Sequence, residues 1–213
     1  MKKSNRSNVD PFIVMDVMES ARKAEEQGEN IIHMEVGQPG TPAPKIAKEF
    51  VIKEINKNSL GYTVALGLPE LRNRISKLYG DWYNIDLNPK RVVITTGSSG
   101  AFILSFSALF DSGDRVGIGS PSYPSYRQIL KSLSLETIDI QTRLENKFQP
   151  IPEDIKNNNL NGILVASPAN PTGSMLNKQS LENLINTANE NNVSFISDEI
   201  YHGLQYEDKP NSA

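Results

Sequence analysis

The apolar positions of this chain change period several times along its length, and the changes divide it into helices and strands. Val14, Met15, Met18 and Ala21 recur at helical spacing between Asp10-Pro11 and Gly28, which predicts a helix with an Asp N-cap, a proline in its first turn and a glycine stop. Residues 31–36 read as a short strand. Gly37-Gln38-Pro39-Gly40-Thr41-Pro42, with Pro44 just beyond, is a dense cluster of breakers and marks a boundary. After it, helices are expected at about residues 44–57, 68–84, 98–110, 123–133 and 178–191. β-Branched runs at 91–95, 115–119, 137–140, 162–166 and 193–197 lie between or after them, and the Asn-rich stretch 156–162 reads as a polar loop. The runs are mostly continuous rather than alternating, as in strands covered on both faces by crossover helices. The pattern therefore predicts an α/β fold, with three α/β/α layers around a mostly parallel sheet. Residues 1–43 form a small N-terminal segment and residues 44–213 the larger domain.

Composition narrows the chemistry that such a fold can carry. The 213 residues are 38% hydrophobic and 22% charged, which allows a sizeable core, leaves little room for more than two domains, and rules out a disordered or fibrous chain. Lys plus Arg is 22 against 25 Asp plus Glu, a net charge of −3, so neither a nucleic acid nor an anionic membrane is an expected partner. There is no cysteine, and His33 and His202 are the only histidines, which excludes disulfides, thiolate chemistry and a multi-histidine metal site. The N-terminal MKKSNRSNVDPF lacks the apolar stretch of a secretory signal, so a cytoplasmic location is expected. The most apolar segment, residues 101–110, is half the roughly 20 residues of a membrane span and reads as a buried helix.

In a parallel sheet, ligands sit at the carboxyl ends of the strands. Thr96-Gly97-Ser98-Ser99-Gly100 lies between a strand and a helix start, where free helix N–H groups and two hydroxyls suit an anion; a plain Ser N-cap fits the same residues. Asn170 in Ser167-Pro168-Ala169-Asn170-Pro171-Thr172-Gly173 is held extended between prolines, as a structural turn or as a rigidly presented amide. Asp198 ends the last strand, where a carboxylate requires a cation or a donor; capping the following turn would also satisfy it. Tyr123, in Pro121-Ser122-Tyr123-Pro124, fits either the core or the face of a planar ring. Tyr201 fits simple packing, His202 a structural role, Glu199 a paired or solvated one, and Arg72 and Arg74 a solvated helix face. Taken together these groups match a planar, phosphorylated ring with a basic nitrogen and a phenolic oxygen.

The ordered set VGQPG, GYTVALGLPELR, TTGSSGAF, PSYP, SPANPTG and SDEIYHGL resembles the class I/II aminotransferases, the fold-type I pyridoxal-phosphate enzymes, from about Ile31 to the end of the chain. The resemblance implies the N-terminal portion of that family's large domain, incomplete at its C-terminal end. It implies amino transfer between an amino acid and a 2-oxo acid with pyridoxal 5'-phosphate as cofactor, in a homodimer of amino-acid metabolism. By the match, Asp198 pairs with the pyridine nitrogen, Asn170 and Tyr201 donate to the phenolic oxygen, and Tyr123 stacks on the ring. Ser98 and Ser99 hold the phosphate, Tyr62 reaches the phosphate of the neighbouring subunit, and Gly37 lies beside the substrate with Asn170. The family's Schiff-base lysine and its phosphate- and carboxylate-binding arginines have no match, and Lys209 has the wrong context to serve. No catalytic residue is therefore assigned, and turnover by this chain alone is not expected. A carbon–sulfur lyase of the same fold, or a non-catalytic cofactor-binding or interaction domain, are the alternative readings.

Overall fold

The computed structural model describes residues 2–37, 40–204, 206 and 210–213. Gln38 and Pro39 of the breaker cluster, and Lys209, lie outside the described residues. Among the described residues, three α-helices come first: α1 (Ile13–Glu26), α2 (Lys45–Ile55) and α3 (Pro69–Tyr83). An alternating series follows: α4 (Gly97–Leu109), β1 (Arg115–Ser120), α5 (Pro124–Ser132), β2 (Glu136–Gln141), α6 (Pro152–Asn157), β3 (Gly162–Ala166), α7 (Lys178–Glu190) and β4 (Ser194–Asp198). The four strands form one parallel sheet in the order β2-β1-β3-β4.

Local sequence sets most of the helix limits. Pro69 and Pro124 occupy first-turn positions, where a missing N–H costs nothing, and Asn84 closes α3 in the left-handed conformation at φ 57. Asn177 caps α7 by accepting from the Ser180 N–H at 2.8 Å. α1 starts later than its sequence predicts, with Phe12 rather than Asp10 at the N-cap. Asp10 is drawn to α5 instead, where its carboxylate meets Lys131 at 3.4 Å and its carbonyl accepts from Gln128 at 3.3 Å.

Three layers follow from the two-residue period of the strands. Leu164 of β3 and Val116 and Ile118 of β1 face Phe102, Phe106, Tyr126 and Leu130 of α4 and α5. Ile163 and Val165 face the opposite way, onto Ile155 of α6 and Leu181, Leu184 and Ala188 of α7. α4 is a correction to the sequence reading. Phe102 and Phe106 are buried, but Ile103, Leu104 and Leu109 are exposed, because the sheet and α5 cover only one side of the helix.

Two expected strands do not form. Residues 31–36 and 91–95 carry the right residue types, but neither pairs with another strand among the described residues, Arg91 closing a 3-10 turn instead, and β propensity without a partner leaves backbone groups unpaired. Residues 31–36 stay irregular, with Ile32 81% and Met34 87% exposed. Ile94 gives its N–H to the Leu66 carbonyl at 3.0 Å instead of to a ladder. A short helix that the pattern missed, α6, starts at Pro152, and the Asp154 carboxylate accepts from the Ile151 N–H at 2.8 Å.

The stretch 92–95 is also held by Arg72 of α3, whose guanidinium donates to the carbonyls of Val92 and Pro89, both at 2.8 Å; Arg72 is a tie and not a solvated residue. Gly67 makes the junction tight, since its φ of +97 is unfavourable to any side chain and an added Cβ would stand 2.6 Å from Ile94 Cβ. Gly67→Ala is expected to destabilise the chain by about 1–3 kcal/mol, read as a lowered urea midpoint with unchanged slope.

Candidate functional site

The chain runs from β1 outward to β2 and then returns past β1 to β3 and β4, so the order reverses between β1 and β3. A crevice opens at such a reversal beyond the carboxyl ends of the strands. The segments leaving β1 and β3 carry Tyr123 and Asn170, and the pairing of Ala166 with Asp198 sets the end of β4 beside them. Three of the residues expected to bind are thereby delivered to one edge of the sheet.

Asp198 is 9% exposed, and both its carboxylate oxygens are engaged. Oδ1 accepts from the Ile200 N–H at 3.1 Å, which is the turn-capping role, and Oδ2 accepts from the Tyr126 hydroxyl at 2.5 Å. Among the described residues no lysine, arginine or histidine pairs with it. A buried carboxylate with two donors and no cation is suited to a cationic nitrogen. Sequence alone does not mark out its partner Tyr126. It is 3% exposed, and burial, then the Asp198 carboxylate, push its phenol well above the usual tyrosine range, so it remains a donor. The available signal was its position three residues after Tyr123, one turn on and on the same side of α5.

Tyr123 is half-buried between perpendicular ring contacts, to Phe12 at 6.0 Å and to Tyr126 at 5.5 Å between centroids. Tyr126 in turn meets Phe102 of α4 edge-on at 5.3 Å, which anchors α4 near its first turn. Ser98 and Ser99 lie in that first turn and are exposed. Thr96 at the N-cap makes no side-chain cap hydrogen bond and the Gly97 N–H goes to the Thr95 carbonyl at 3.0 Å, which leaves the Ser98 and Ser99 N–H groups suited to an anion.

Asn170 Nδ2 donates to the Tyr201 hydroxyl at 3.3 Å. The second amide hydrogen of Asn170 and the phenolic hydrogen of Tyr201 remain available to a shared acceptor. Gly37 joins these two residues in lining a cleft of about 570 Å³, together with Pro168, Met175 and Leu204. The position that a Cβ would occupy at Gly37 is open space. Tyr62 is not gathered with the rest and stands fully exposed between α2 and α3. The donor set fits a phosphorylated pyridine: a carboxylate without a cation, two donors converging on one side, an aromatic face, and a helix start with no side-chain cap.

His202 and Glu199 also have clear partners. The His202 ring lies between the Tyr83 hydroxyl, 2.5 Å from Nδ1, and the Ser167 carbonyl, 2.9 Å from Nε2. Glu199 accepts from the hydroxyls of Ser197 at 3.0 Å and Ser212 at 2.8 Å, and from the Ala213 N–H at 2.8 Å. At Gly203 an added Cβ would stand 2.9 Å from the ring of Trp82, so the turn after β4 lies against the end of α3.

Residues 29–213 match the family model of the class I and II aminotransferases. The valine–pyruvate aminotransferase of Mycobacterium tuberculosis is 41% identical over 98% of this chain and 54% of its own length. A crystal structure of an aminotransferase from the same organism superimposes with a TM-score of 0.93 at 40% identity, covering 100% of this chain and 56% of that one. A Silicibacter pomeroyi protein assigned as an aminotransferase gives a TM-score of 0.90 at 58% identity, over 100% of this chain and 55% of that one. The chain spans about half the length of the curated relatives it matches.

Proposed function

Because the chain belongs to the class I and II aminotransferase family, whose cofactor is pyridoxal 5'-phosphate, we propose that it forms the cofactor-recognising part of an enzyme that moves an amino group between an amino acid and a 2-oxo acid. The observation that carries this reading is the buried Asp198 carboxylate, held by Tyr126 and Ile200 and without a cation, at the sheet edge where Asn170 and Tyr201 converge. When bound, the cofactor supplies an electron sink for the pair released at the substrate's α-carbon. Asp198 holds a proton on the pyridine nitrogen. Asn170 and Tyr201 would donate to the phenolic oxygen, Tyr123 would cover the ring, and the N–H groups of Ser98 and Ser99 with the Ser99 hydroxyl would hold the phosphate. Gly37 and Asn170 border the space left for substrate.

A cytoplasmic homodimer of amino-acid metabolism, with its domain division at residue 43, belongs to the same reading. The complete exposure of Tyr62 supports its assignment to the phosphate of a neighbouring subunit. Titrating the chain with pyridoxal phosphate, followed by its absorption band, tests the cofactor assignment; a spectrum identical to that of free cofactor would overturn it. In a protein extended to the length of its relatives, amino transfer dependent on a 2-oxo acid is expected. Release of pyruvate and ammonia instead would favour a carbon–sulfur lyase, and binding without either reaction a non-catalytic domain.

Removing either donor to the phenolic oxygen has a definite sign. Asn170→Ala and Tyr201→Phe are each expected to weaken cofactor binding about 3–10-fold, the loss of one hydrogen bond. Each should also raise the pH at which the bound cofactor's phenol ionises, because a donor to the anion lowers that pKa. Spectrophotometric pH titration of the bound cofactor measures the shift.

A further inference from the structure

Ser167 is the first residue after β3, three before Asn170, and it is 4% exposed. Each of its polar groups is engaged. Its N–H donates to the Asp198 carbonyl at 3.2 Å, its hydroxyl accepts from the Leu176 N–H at 2.9 Å, and its carbonyl accepts from His202 at 2.9 Å. Since a carbonyl only accepts, Nε2 of His202 carries a proton, while Nδ1 faces the Tyr83 hydroxyl and, at 3.7 Å, the Glu199 carboxylate. Burial, followed by the charge of Glu199, pushes the Tyr83 phenol up to about 12, which keeps it a donor. The His202 side chain is only 6% exposed, yet it belongs to neither hydrophobic cluster of the core. It spans the gap between the loop leaving β3 and the end of α3, and it directly follows Tyr201 in the chain.

We propose that His202 is a positioning residue that fixes the separation of Asn170 and Tyr201, by tying the Ser167 peptide to the turn after β4 and bracing that turn on Tyr83. The inference rests on the cofactor site proposed above for its consequence, and on the hydrogen bonds alone for its geometry. Loss of the ring nitrogens strands a buried carbonyl, and the loop carrying Asn170 is then held at its two ends by Ser167 N–H and Oγ and by the Gln149 amide, which donates to the carbonyls of Ala166 and Ser174, both at 3.1 Å. The bond from Asn170 to Tyr201 is the contact that this loosening reaches first.

The test uses His202→Phe, which keeps a ring and loses both bonds, His202→Gln, whose amide can restore the donor to Ser167, and Tyr83→Phe, which removes only the brace. In the ligand-free chain, amide hydrogen exchange at Ala169, Gly173 and Leu176 is expected to quicken about tenfold or more in His202→Phe, with the sheet amides of β1 and β3 unchanged. Affinity for pyridoxal phosphate should fall about tenfold in the same variant and return to within about threefold of the parent in His202→Gln. Tyr83→Phe should show the same pattern at smaller amplitude, and stands in for His202→Phe should that variant not fold. Unchanged exchange would overturn the tie. Faster exchange with parental affinity would overturn the positioning role. Failure of the parent chain to bind pyridoxal phosphate would refute the cofactor site instead, leaving the exchange comparison to decide whether His202 holds the loop.

Discussion

Asp198→Asn is expected to weaken pyridoxal-phosphate binding about 30-fold or more while leaving the sheet folded. The carboxylate lies at the end of β4, 9% exposed, with Tyr126 and Ile200 as donors and no cationic side chain paired with it among the described residues. Replacing it with a neutral amide removes one partner of a buried charge pair whenever the cofactor nitrogen is protonated. Such truncations cost about 2 kcal/mol or more, which corresponds to about 30-fold in affinity. The amide keeps the shape and still offers an oxygen to the Tyr126 hydroxyl, but its nitrogen cannot accept from the Ile200 N–H if it takes the place of Oδ1. The stability cost should therefore stay near about 1 kcal/mol. Tyr126→Phe, which leaves the charge in place and removes one of its donors, should reduce affinity less. Absorbance titration of each variant, with a thermal midpoint alongside, separates the two effects. Parental affinity in Asp198→Asn would remove this residue from the cofactor's nitrogen.

The largest loss of stability is expected from Phe106→Ala. Phe106 is completely buried, stacked on Phe102 at 5.7 Å and tilted against Phe110 at 6.2 Å, on the side of the sheet that also holds Val116, Ile118 and Leu164. Truncating such a ring costs about 3–5 kcal/mol, a large share of the roughly 5–15 kcal/mol that a folded domain has in total. Phe50→Ala is the control. That residue is 62% exposed on α2, a helix without a buried residue, and its loss should cost about 0.5 kcal/mol or less. Urea titrations of the two variants should differ by about 1–3 M in midpoint, and equal midpoints would mean that the stabilising core lies elsewhere.

The parts legible in the sequence were those with local causes. Pro69 and Pro124 opened helices, Asn170 and Asp198 came at strand ends, and the continuous runs of β1 and β3 announced a sheet covered on both faces. What was misread depended on partners elsewhere in the chain. Residues 31–36 and 91–95 have the composition of strands, but a strand is defined by its neighbour, and composition does not show whether one is present. α6 had a local signal, in Pro152 and Asp154, that the Asn-rich run after it obscured. Tyr126 and Asp198 are 72 positions apart, and Tyr83 and His202 are 119 apart, so only the closure of the sheet brings either pair into contact. The cleft was foreseen as a set of donors, whereas the bonds that hold those donors in place were not.

The chain has a single tryptophan, Trp82, half-exposed at the end of α3 with Gly203 against its ring. It lies outside both hydrophobic clusters of the sheet. Its fluorescence therefore reports on the turn after β4 and the helix end beneath it, not on the melting of the sheet. An unfolding curve followed by indole emission belongs to the neighbourhood of His202, and one followed by far-ultraviolet circular dichroism to the secondary structure as a whole. Coincidence of the two would mean that this corner and the core form one cooperative unit, and their separation would make the tryptophan an optical gauge of the turn that carries Tyr201.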